Sequence, residues 1–562
     1  MSNDFYYLNE DSRAVIRDSY LLPGETPEGR IRDLAENAER ILGIEGFADK
    51  FYRYSAQGYY ILSTPVWSNF GRDRGRPVSC FGSYVGDSVA RILETISEVG
   101  VMSKLGGGTS AYFGDVRGRG AAINNNGESM GAVHFMELFD KTISTISQGS
   151  TRRGAISPYL PIDHPDIREF LAIGTEGHPI QKLTHGVCIP EGWMRSMIDG
   201  DRAKRELWAL LLKCRGERGY PYIFFSDHAN KGRPDVYKDK NMPILASNLC
   251  SEIMLPSSND ESFVCVLSSM NVAKWYEWKD TDAVETLVYF LDAVNQEFID
   301  KLEADRDSDD PDRNLTFKAM ERPYRFAKSH RALGLGAAGL HTLYQESMLP
   351  FDSKEAAKLN YEVFSAIQKR SYKASEELAE MFGECEMTKG YGRRNTTLNA
   401  IAPNTTSAFV IGQVSQSIEP IFSNLYIKDL ANIKATMKNP TLQKLLAEKG
   451  KDTREVWDSI AKADGSVQHL DFLSEHEKKV FLSFAEIPQA AVINQAAIRQ
   501  EYLDQGQSLN LRFHQGYTPK DINKLTLLAW EMGLKALYYQ RSSNAAKELA
   551  RKRISTECEA CN

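Results

Sequence analysis

The spacing of apolar positions changes along the chain and divides it into parts. Up to about residue 75 apolar residues recur every three or four positions, which predicts helices such as Glu28–Leu42 and Gly46–Tyr60. Beyond residue 76 short apolar runs alternate with helical patterns, as in the predicted strand Cys80–Val85 and the helix Ser88–Val101. This alternation predicts an α/β fold with much parallel sheet. Further predicted strands are Ala111–Asp115, Ile156–Leu160, His185–Ile189, Tyr222–Phe225, Ser262–Leu267 and Thr396–Ile401.

Composition narrows the class of protein. The chain has 562 residues, of which 42% are hydrophobic and 25% are charged, as in ordinary globular proteins. A net charge of −7 gives no reason to expect nucleic-acid binding. No apolar run approaches the roughly 18 residues of a membrane helix, and the N-terminus has no signal-peptide pattern. We therefore expect a cytoplasmic enzyme or a large binding protein.

The eight cysteines are too few for a disulfide scaffold. Cys188, Cys214 and Cys385 fit the role of small buried hydrophobic residues. Cys558 and Cys561 form a C-x-x-C pair in a polar C-terminal stretch, which favours a redox dithiol over half of a zinc site. The ten histidines include no His-x-x-x-His pattern, so we expect no catalytic metal bound to this chain.

Three small-residue motifs allow more than one interpretation. Gly334–Gly339 matches G-x-G-x-x-G, but the polar segment before it disfavours a dinucleotide-binding turn and favours tight helix packing. Gly106–Gly108 is either a helix stop or a loop that faces a ligand. Ala402–Ser407 opens an apolar helix, where its hydroxyl groups either cap the helix or bind phosphate.

The segment Asn248–Glu252 carries the sharpest chemical pattern. If its backbone is extended, Asn248, Cys250 and Glu252 point to one side. A thiol between an amide and a carboxylate is typical of an active site rather than of a core. Cys265 follows in a predicted buried strand, and Cys80 begins another.

Asn248–Glu252, followed by Ile253–Pro256, resembles the finger-loop signature of the large subunit of ribonucleotide reductase. Other landmarks of that family occur in the family's order over nearly the whole chain. They are Thr64-Pro65, Ser79-Cys80, Gly106–Ser110, Cys265–Asn271, Arg331–Gly336, Pro403–Ser407, Asp504–Asn510, Leu537–Gln540 and the terminal cysteine pair.

The resemblance implies a ten-stranded α/β barrel of two five-stranded parallel halves, with a finger loop near residues 246–256 at its centre. It implies an N-terminal helical domain over residues 1–75, the barrel over 76–545 and a redox tail over 546–562. The helical domain fills the segment before Cys80, so we expect no regulatory ATP-cone there. Such trimming is common in compact genomes and is consistent with a viral source.

The resemblance also implies the chemistry. Cys250 becomes a thiyl radical that abstracts the 3′-hydrogen of a ribonucleoside diphosphate, Glu252 acts as the general base, and Asn248 orients the substrate. Cys80 and Cys265 reduce the sugar, and the pair Cys558 and Cys561 then reduces their disulfide, with thioredoxin or glutaredoxin as donor. The residues implied in substrate binding are Thr64, Ser79, Gly108, Asn404, Thr405, Thr406 and Ser407.

Two adjacent tyrosines, Tyr538 and Tyr539, lie where class I enzymes receive the radical from a metal-bearing, ferritin-like small subunit. We therefore expect class I, with no cofactor bound tightly to this chain. An adenosylcobalamin-dependent class II triphosphate reductase is the alternative. A non-catalytic nucleotide sensor is disfavoured because the central cysteine and the terminal pair are present.

The resemblance places an allosteric specificity site at a homodimer interface. Its effector would be a deoxynucleoside triphosphate with Mg²⁺, which selects the base to be reduced. The residues implied are Asp87, Ser88, Arg117, Gln148, Arg152 and Arg153.

Overall fold

A computed structural model of the chain describes residues 5–124, 126–148, 152–430, 433–514 and 516–542. The predicted redox pair Cys558 and Cys561 lies outside the described residues. Within the described part no helix combines the length and apolar character needed to cross a membrane.

The described residues form 23 α-helices. In chain order they are α1 Glu10–Ser19, α2 Pro27–Leu42, α3 Phe47–Ala56, α4 Thr64–Asn69, α5 Val89–Lys104, α6 Ala132–Thr145, α7 Ile167–Leu171, α8 Glu191–Asp199, α9 Arg202–Arg218, α10 Ser226–Lys231, α11 Asp235–Asp239, α12 Trp275–Trp278, α13 Ala283–Arg306, α14 Pro311–Ala319, α15 Glu321–His330, α16 Leu340–Glu346, α17 Lys354–Phe382, α18 Thr405–Val410, α19 Pro440–Glu448, α20 Arg454–Lys462, α21 Glu475–Val480, α22 Gln489–Gln500 and α23 Pro519–Glu531.

The strands are short, except for one strand that is nine residues long. They are β1 Tyr60–Leu62, β2 Cys80–Tyr84, β3 Gly108–Tyr112, β4 Ser147–Gln148, β5 Arg152–Arg153, β6 Ile156–Pro161, β7 Gly186–Ile189, β8 Tyr222–Phe225, β9 Phe263–Asn271, β10 Leu333–Ala338, β11 Leu425–Leu430, β12 Ile433–Lys438, β13 Leu511–Phe513, β14 Ala536–Leu537 and β15 Gln540–Ser542.

Five strands form one half of the barrel. They run parallel in the order β2, β3, β6, β7 and β8. Strand β9 pairs antiparallel with β2, and β14 pairs antiparallel with β8, so a second set of strands joins the first at both edges. Every residue of β9 is buried, as its apolar sequence predicts.

The second half consists of β9, β10 and three extended segments. Strand β10 is parallel to β9, and parallel bridges join Leu335 to Asn399 and Ile401 to Gln507. Strands β13 and β15 are also parallel, and the Tyr538 amide donates to the Leu509 carbonyl at 3.0 Å. The two halves therefore close into the predicted ten-stranded barrel, and the prediction of fold class is confirmed.

Several predicted boundaries differ from the structure. The predicted strand at 111–115 is displaced, since β3 covers Gly108–Tyr112 and begins within the glycine run. The predicted helix that reaches Tyr60 ends at Ala56, and Tyr60 begins β1, which pairs with β9. The segment 396–401 contributes bridges rather than a continuous strand. In each case pairing with a neighbouring strand, which the local sequence does not encode, sets the boundary.

The interpretation of Gly334–Gly339 as helix packing is wrong, because Gly334 and Gly336 lie in strand β10. A Cβ atom on Gly336 would lie 2.7 Å from the Ala400 carbonyl oxygen. On Gly334 it would lie 2.4 Å from the Leu267 side chain and 3.0 Å from the Cys265 sulfur. These glycines therefore let the strands of the second half approach one another and leave room at Cys265.

The run Gly106–Gly108 ends a helix and packs closely. Helix α5 stops at Lys104, and Gly106 has φ +99°, a conformation that favours glycine. A Cβ atom on Gly107 would lie 2.4 Å from the Phe81 ring. Gly108 opens β3 opposite Cys80 and donates its amide to the Ser79 carbonyl at 2.7 Å.

Candidate active site

The finger loop ends in a tight turn at the centre of the barrel, and the expectation of an extended backbone at 248–252 is wrong. Ser251 has φ +69°, and the Asn248 amide donates to the Ile253 carbonyl at 3.1 Å. The Asn248 side chain stabilises this turn, because its Oδ1 accepts from the amides of Glu252 and Ile253 at 3.0 Å each. A turn, rather than strand alternation, therefore presents Cys250 and Glu252.

Both halves of the barrel hold the finger loop. The Tyr159 hydroxyl, from β6, donates to the Asn248 carbonyl at 2.8 Å. From the second half, the Ser508 hydroxyl donates to the Cys250 carbonyl at 2.6 Å, and the Gly506 amide donates to the Glu252 carbonyl at 2.8 Å. These bonds satisfy backbone groups that would otherwise be buried without partners, and they fix the loop tip.

Cys80 and Cys265 face each other on neighbouring strands. They are directly opposite residues of the antiparallel pair β2 and β9, a register that brings side chains close. The Asn248 Nδ2 donates to the Cys80 sulfur at 3.5 Å, so the finger loop touches this pair. Both are free thiols, and burial raises the pKa of Cys265 well above its usual value, so that it stays protonated at neutral pH.

Cys250, Glu252 and Asn248 are completely buried, each with no exposed surface. The Ser508 hydroxyl, which donates its proton to the Cys250 carbonyl, also lies 3.1 Å from the Glu252 Oε2. A buried carboxylate beside a thiol, with a hydroxyl at one of its oxygens, is suited to act as a general base. The predicted catalytic residues Cys250, Glu252, Asn248, Cys80 and Cys265 therefore meet in one place.

The tyrosine pair reaches the finger loop directly. The Tyr538 hydroxyl donates to the Cys250 sulfur at 3.2 Å, and Tyr538 is 3% exposed. The rings of Tyr538 and Tyr539 have centroids 4.4 Å apart. Strand β14 ends at Leu537 and β15 begins at Gln540, so the two tyrosines occupy an interruption between strands. This interruption lets both rings lie together, where a regular strand would separate them.

A third tyrosine, Tyr222 of β8, packs against the pair. Its ring centroid is 4.7 Å from that of Tyr538 and 5.1 Å from that of Tyr539. Burial raises the pKa of Tyr222 well above its usual value, so its phenol is neutral. Behind Tyr538, the buried Arg215 guanidinium donates to the Tyr538 carbonyl at 3.1 Å and fixes the backbone there.

A small cleft lies next to Ser79 and Gly334, beside the two strand cysteines. It is rich in serine hydroxyls and has Asn404 at one end. Its lining residues are Ser63, Pro65, Ser79, Leu267, Ser268, Ser269, Gly334, Ala402, Asn404 and Ser407. Of the predicted substrate residues, Ser79, Asn404 and Ser407 line this cleft. Thr64 sits between two lining residues, and its hydroxyl is 3.4 Å from that of Tyr20.

The predicted phosphate segment forms the start of α18. Asn404 occupies the N-cap position, but its side chain donates to the Ser269 hydroxyl at 2.8 Å instead of capping the helix. The Thr405 hydroxyl donates to the Pro403 carbonyl at 3.0 Å, and Thr406 is half-buried. Side-chain capping therefore does not explain why this segment is rich in small polar residues.

Of the predicted specificity residues, Asp87 and Ser88 lie immediately before the first residue of α5. The Asp87 carboxylate accepts from the Arg117 amide at 3.2 Å and from the Arg117 Nε at 2.8 Å. Ser88 caps α5 by accepting from the Arg91 amide. Gln148, Arg152 and Arg153 lie in the paired strands β4 and β5, and their side chains are outside the described part.

Sequence reasoning missed several residues of the site. Tyr159, Tyr222 and Lys535 gave no signal, because each is an ordinary residue of a buried strand or strand end. Gln505 and Ser508 lie in the quoted segment Asp504–Asn510, whose density of amide and hydroxyl side chains in a buried stretch was a usable signal.

Comparison with known proteins identifies the family. The model of the ribonucleotide reductase barrel domain matches residues 78–204, 200–390 and 385–540. A frog virus 3 protein, provisionally named a ribonucleoside-diphosphate reductase large subunit, is 36% identical over 519 residues, which cover 89% of this chain and 88% of that protein. The ribonucleoside-diphosphate reductase large subunit of Invertebrate iridescent virus 3 is 30% identical, with 94% and 92% covered.

A solved structure shares the whole architecture. The class Id ribonucleotide reductase alpha subunit of Actinobacillus ureae is 54% identical, with a TM-score of 0.90 over 97% of this chain and 99% of that chain. The match to a class I subunit favours class I over the cobalamin-dependent alternative. The chain therefore belongs to the ribonucleotide reductase family, in the group of its large subunits.

Proposed function

We propose that the protein reduces ribonucleoside diphosphates to 2′-deoxyribonucleotides for DNA synthesis, as the catalytic subunit of a class I reductase. The observation that carries the proposal is the buried hydrogen bond from the Tyr538 hydroxyl to the Cys250 sulfur, at 3.2 Å. A phenol in contact with a buried thiol is suited to exchange an electron and a proton with it. Solvent is excluded there, which protects a radical from side reactions.

The radical enters through the tyrosines. A ferritin-like small subunit supplies the one-electron oxidant from its metal centre. Tyr539, which is half-buried, passes the oxidising equivalent to Tyr538, and Tyr538 takes the hydrogen atom of the Cys250 thiol. Each step moves one electron and one proton, so no charge is left in the buried site.

The Cys250 thiyl then abstracts the 3′-hydrogen of the substrate, while Glu252 takes the proton of the 3′-hydroxyl. The 2′-hydroxyl leaves as water. Cys80 and Cys265 supply two electrons and two protons and become a disulfide, and Cys250 finally returns its hydrogen atom to C3′. The net reaction consumes one ribonucleotide and one dithiol and forms one deoxyribonucleotide, one disulfide and water. The raised pKa of Cys265 supports this role, because the residue holds a proton to give.

Substrate binds in the cleft beside these cysteines. Its sugar lies against Ser79 and the strand cysteines, and its phosphates lie against Asn404, Thr405, Thr406 and Ser407. Support comes from the cleft lining and from the Asn404 side chain, which is directed to Ser269 rather than to its own helix. Gly108 keeps β3 close to Cys80, and the backbone beside Thr64 closes the cleft.

The terminal pair Cys558 and Cys561 reduces the internal disulfide and is itself reduced by thioredoxin or glutaredoxin. Replacing both by serine is expected to stop repeated turnover with thioredoxin, because the pair supplies the electrons of every later cycle. Pre-reduced protein should still complete a single turnover, since Cys80 and Cys265 already hold two electrons. Rapid-quench product counting checks this, and loss of the first turnover as well would contradict the assignment.

A second copy of the chain covers an apolar face beside the specificity residues. Val89 and Leu93, one turn apart on α5, are 63% and 54% exposed, and Leu138 on the adjoining α6 is 46% exposed. Exposed apolar residues at this spacing on two packed helices favour a helical dimer interface. A deoxynucleoside triphosphate with Mg²⁺ binds at its edge, near Asp87, Ser88, Arg117, Gln148, Arg152 and Arg153, and selects the base.

Replacing Arg117 by alanine is expected to weaken effector binding roughly tenfold, because a charge-assisted contact is lost near the triphosphate. The rate without effector should stay close to that of the wild type. Arg119, on the same loop but paired with Glu169, provides the matched control. Equilibrium binding of a deoxynucleoside triphosphate checks the prediction, and equal affinities in both variants would contradict it.

The proposed function is tested by assaying reduction of a ribonucleoside diphosphate with dithiothreitol in three arms. The protein alone and the protein with adenosylcobalamin should be inactive, and the protein with a metal-loaded class I small subunit should form deoxynucleotide. Turnover in the cobalamin arm would overturn the class I proposal.

A further inference from the structure

Lys535 is a buried cation close to the tyrosine pair. It lies immediately before β14, three positions before Tyr538, and is 3% exposed. Its Nζ donates to three consecutive carbonyls, those of Leu503 at 3.1 Å, Asp504 at 3.0 Å and Gln505 at 2.6 Å. The Gly232 carbonyl lies farther from the ammonium, at 3.3 Å, so three of the four carbonyls around its three protons belong to one loop.

The partners of this ammonium are carbonyl oxygens rather than a carboxylate at salt-bridge distance. Such bonds are charge-assisted and are stronger than bonds between neutral groups. Burial lowers the pKa of Lys535 to about 8, so the group is mostly protonated at neutral pH. A cation that loses this much hydration is costly to keep buried. We therefore expect the buried ammonium to have a role other than packing.

The loop that Lys535 holds carries side chains of the active site. The Gln505 Nε2 donates to the Cys265 sulfur at 3.5 Å, and its Oε1 accepts from the Met254 amide at 3.0 Å. The Ser508 hydroxyl donates to the Cys250 carbonyl and lies in contact with the Glu252 carboxylate. Residues 503–508 thus contact the finger loop, the proposed base and one of the reducing cysteines.

The segment that begins at Lys535 carries the other reacting group. Tyr538 lies against residue 509 through the backbone bond already described, and its hydroxyl contacts Cys250. One side chain therefore joins the segment that delivers the oxidising equivalent to the loop that positions the thiol and the carboxylate.

We propose that Lys535 is a positioning residue for the radical reaction, which holds loop 503–508 and the Tyr538 segment in a single geometry. The inference rests on the proposed roles of Cys250 and Tyr538. Its consequence is that loss of the ammonium loosens the Tyr538–Cys250 and Ser508–Glu252 contacts together. Small displacements of reacting groups cost up to about a hundredfold in rate.

The test is a graded series, Lys535→Gln and Lys535→Met, in which the side chain donates fewer bonds and then none. We expect kcat with the small subunit to fall in the order Lys, Gln, Met, by roughly tenfold or more for Met. KM should stay within about twofold, because the cleft is lined by other residues. Rates are normalised to folded protein by circular dichroism at the assay temperature.

Lys301→Met is the matched control. Lys301 is half-buried and donates to two carbonyls, those of Asn69 and Arg72; it also pairs with the Glu297 carboxylate at 2.6 Å, and it lies outside the active-site loop. A loss of stability without a loss of kcat is expected there. If kcat per folded molecule in the Lys535 variants equals that of Lys301→Met, the positioning role is overturned. If Lys535→Met does not fold, Lys535→Gln decides, and an unchanged kcat in that variant overturns the proposal.

Tyr538→Phe is assayed in parallel to separate this inference from the proposed function. An active Tyr538→Phe together with a slow Lys535→Met would refute the radical route and leave the positioning role in place. An inactive Tyr538→Phe together with a fast Lys535→Gln and Lys535→Met would support the radical route and overturn the positioning role of Lys535.

Discussion

Replacing Cys250 by serine is expected to abolish deoxynucleotide formation while substrate and effector bind within about twofold of wild type. A hydroxyl gives up its hydrogen atom far less readily than a thiol, so the serine cannot carry the radical. The change from sulfur to oxygen alters the side-chain volume little, and the turn is held by Asn248, Tyr159 and Ser508 rather than by the thiol. Product assay and equilibrium nucleotide binding measure the two effects.

Cys214→Ser serves as the control for this change. Cys214 is also buried, but it lies in α9 and contacts the Leu171 carbonyl, away from the finger loop. We expect that variant to lose some stability and keep its activity. Substantial residual product from Cys250→Ser, beyond contaminating wild-type protein, would remove Cys250 from the radical site.

Tyr538→Phe and Tyr539→Phe are each expected to eliminate activity with the small subunit, by at least about a thousandfold. Phenylalanine keeps the ring, the packing against Tyr222 and the fold, but it lacks the hydroxyl hydrogen that must move with the electron. Small-subunit binding should persist, because the surface changes by only one hydroxyl. Steady-state turnover and an affinity measurement for the small subunit check these expectations.

Tyr344→Phe is a suitable control, because Tyr344 is a buried tyrosine whose hydroxyl donates to Gln495 outside the site. It should remain active. Near-normal turnover in either Tyr538→Phe or Tyr539→Phe would show that the oxidising equivalent reaches Cys250 by another route.

The sequence predicted the participants of the site better than their geometry. The cysteines and Glu252 could be named because their residue types carry the chemistry and their order matches a family. The turn at Cys250 could not be predicted, because it depends on the side-chain oxygen of Asn248, which accepts hydrogen bonds from the backbone amides of Glu252 and Ile253. An alternating pattern of Asn, Cys and Glu fits a strand equally well, and only the surrounding barrel decides between the two.

Residues that act through long-range contacts escaped prediction for a related reason. Gly336 belongs to a G-x-G-x-x-G match, yet its role depends on Ala400, which is remote in sequence. Lys535 is a single lysine near the end of the chain, and its significance appears only when three carbonyls from another segment surround it. The closeness of the two tyrosine rings required a break in strand pairing that neighbouring residues do not encode.

The central claim is that Tyr538 delivers the oxidising equivalent to Cys250, and one measurement tests it most directly. Tyr538 is replaced by 3-aminotyrosine, which is oxidised more easily than tyrosine and therefore traps the radical. The protein is then mixed with small subunit, ribonucleoside diphosphate and effector and examined by electron paramagnetic resonance. The account predicts an aminotyrosyl radical at position 538 that forms only in the complete mixture. Product formation at the wild-type rate with no such radical would contradict it.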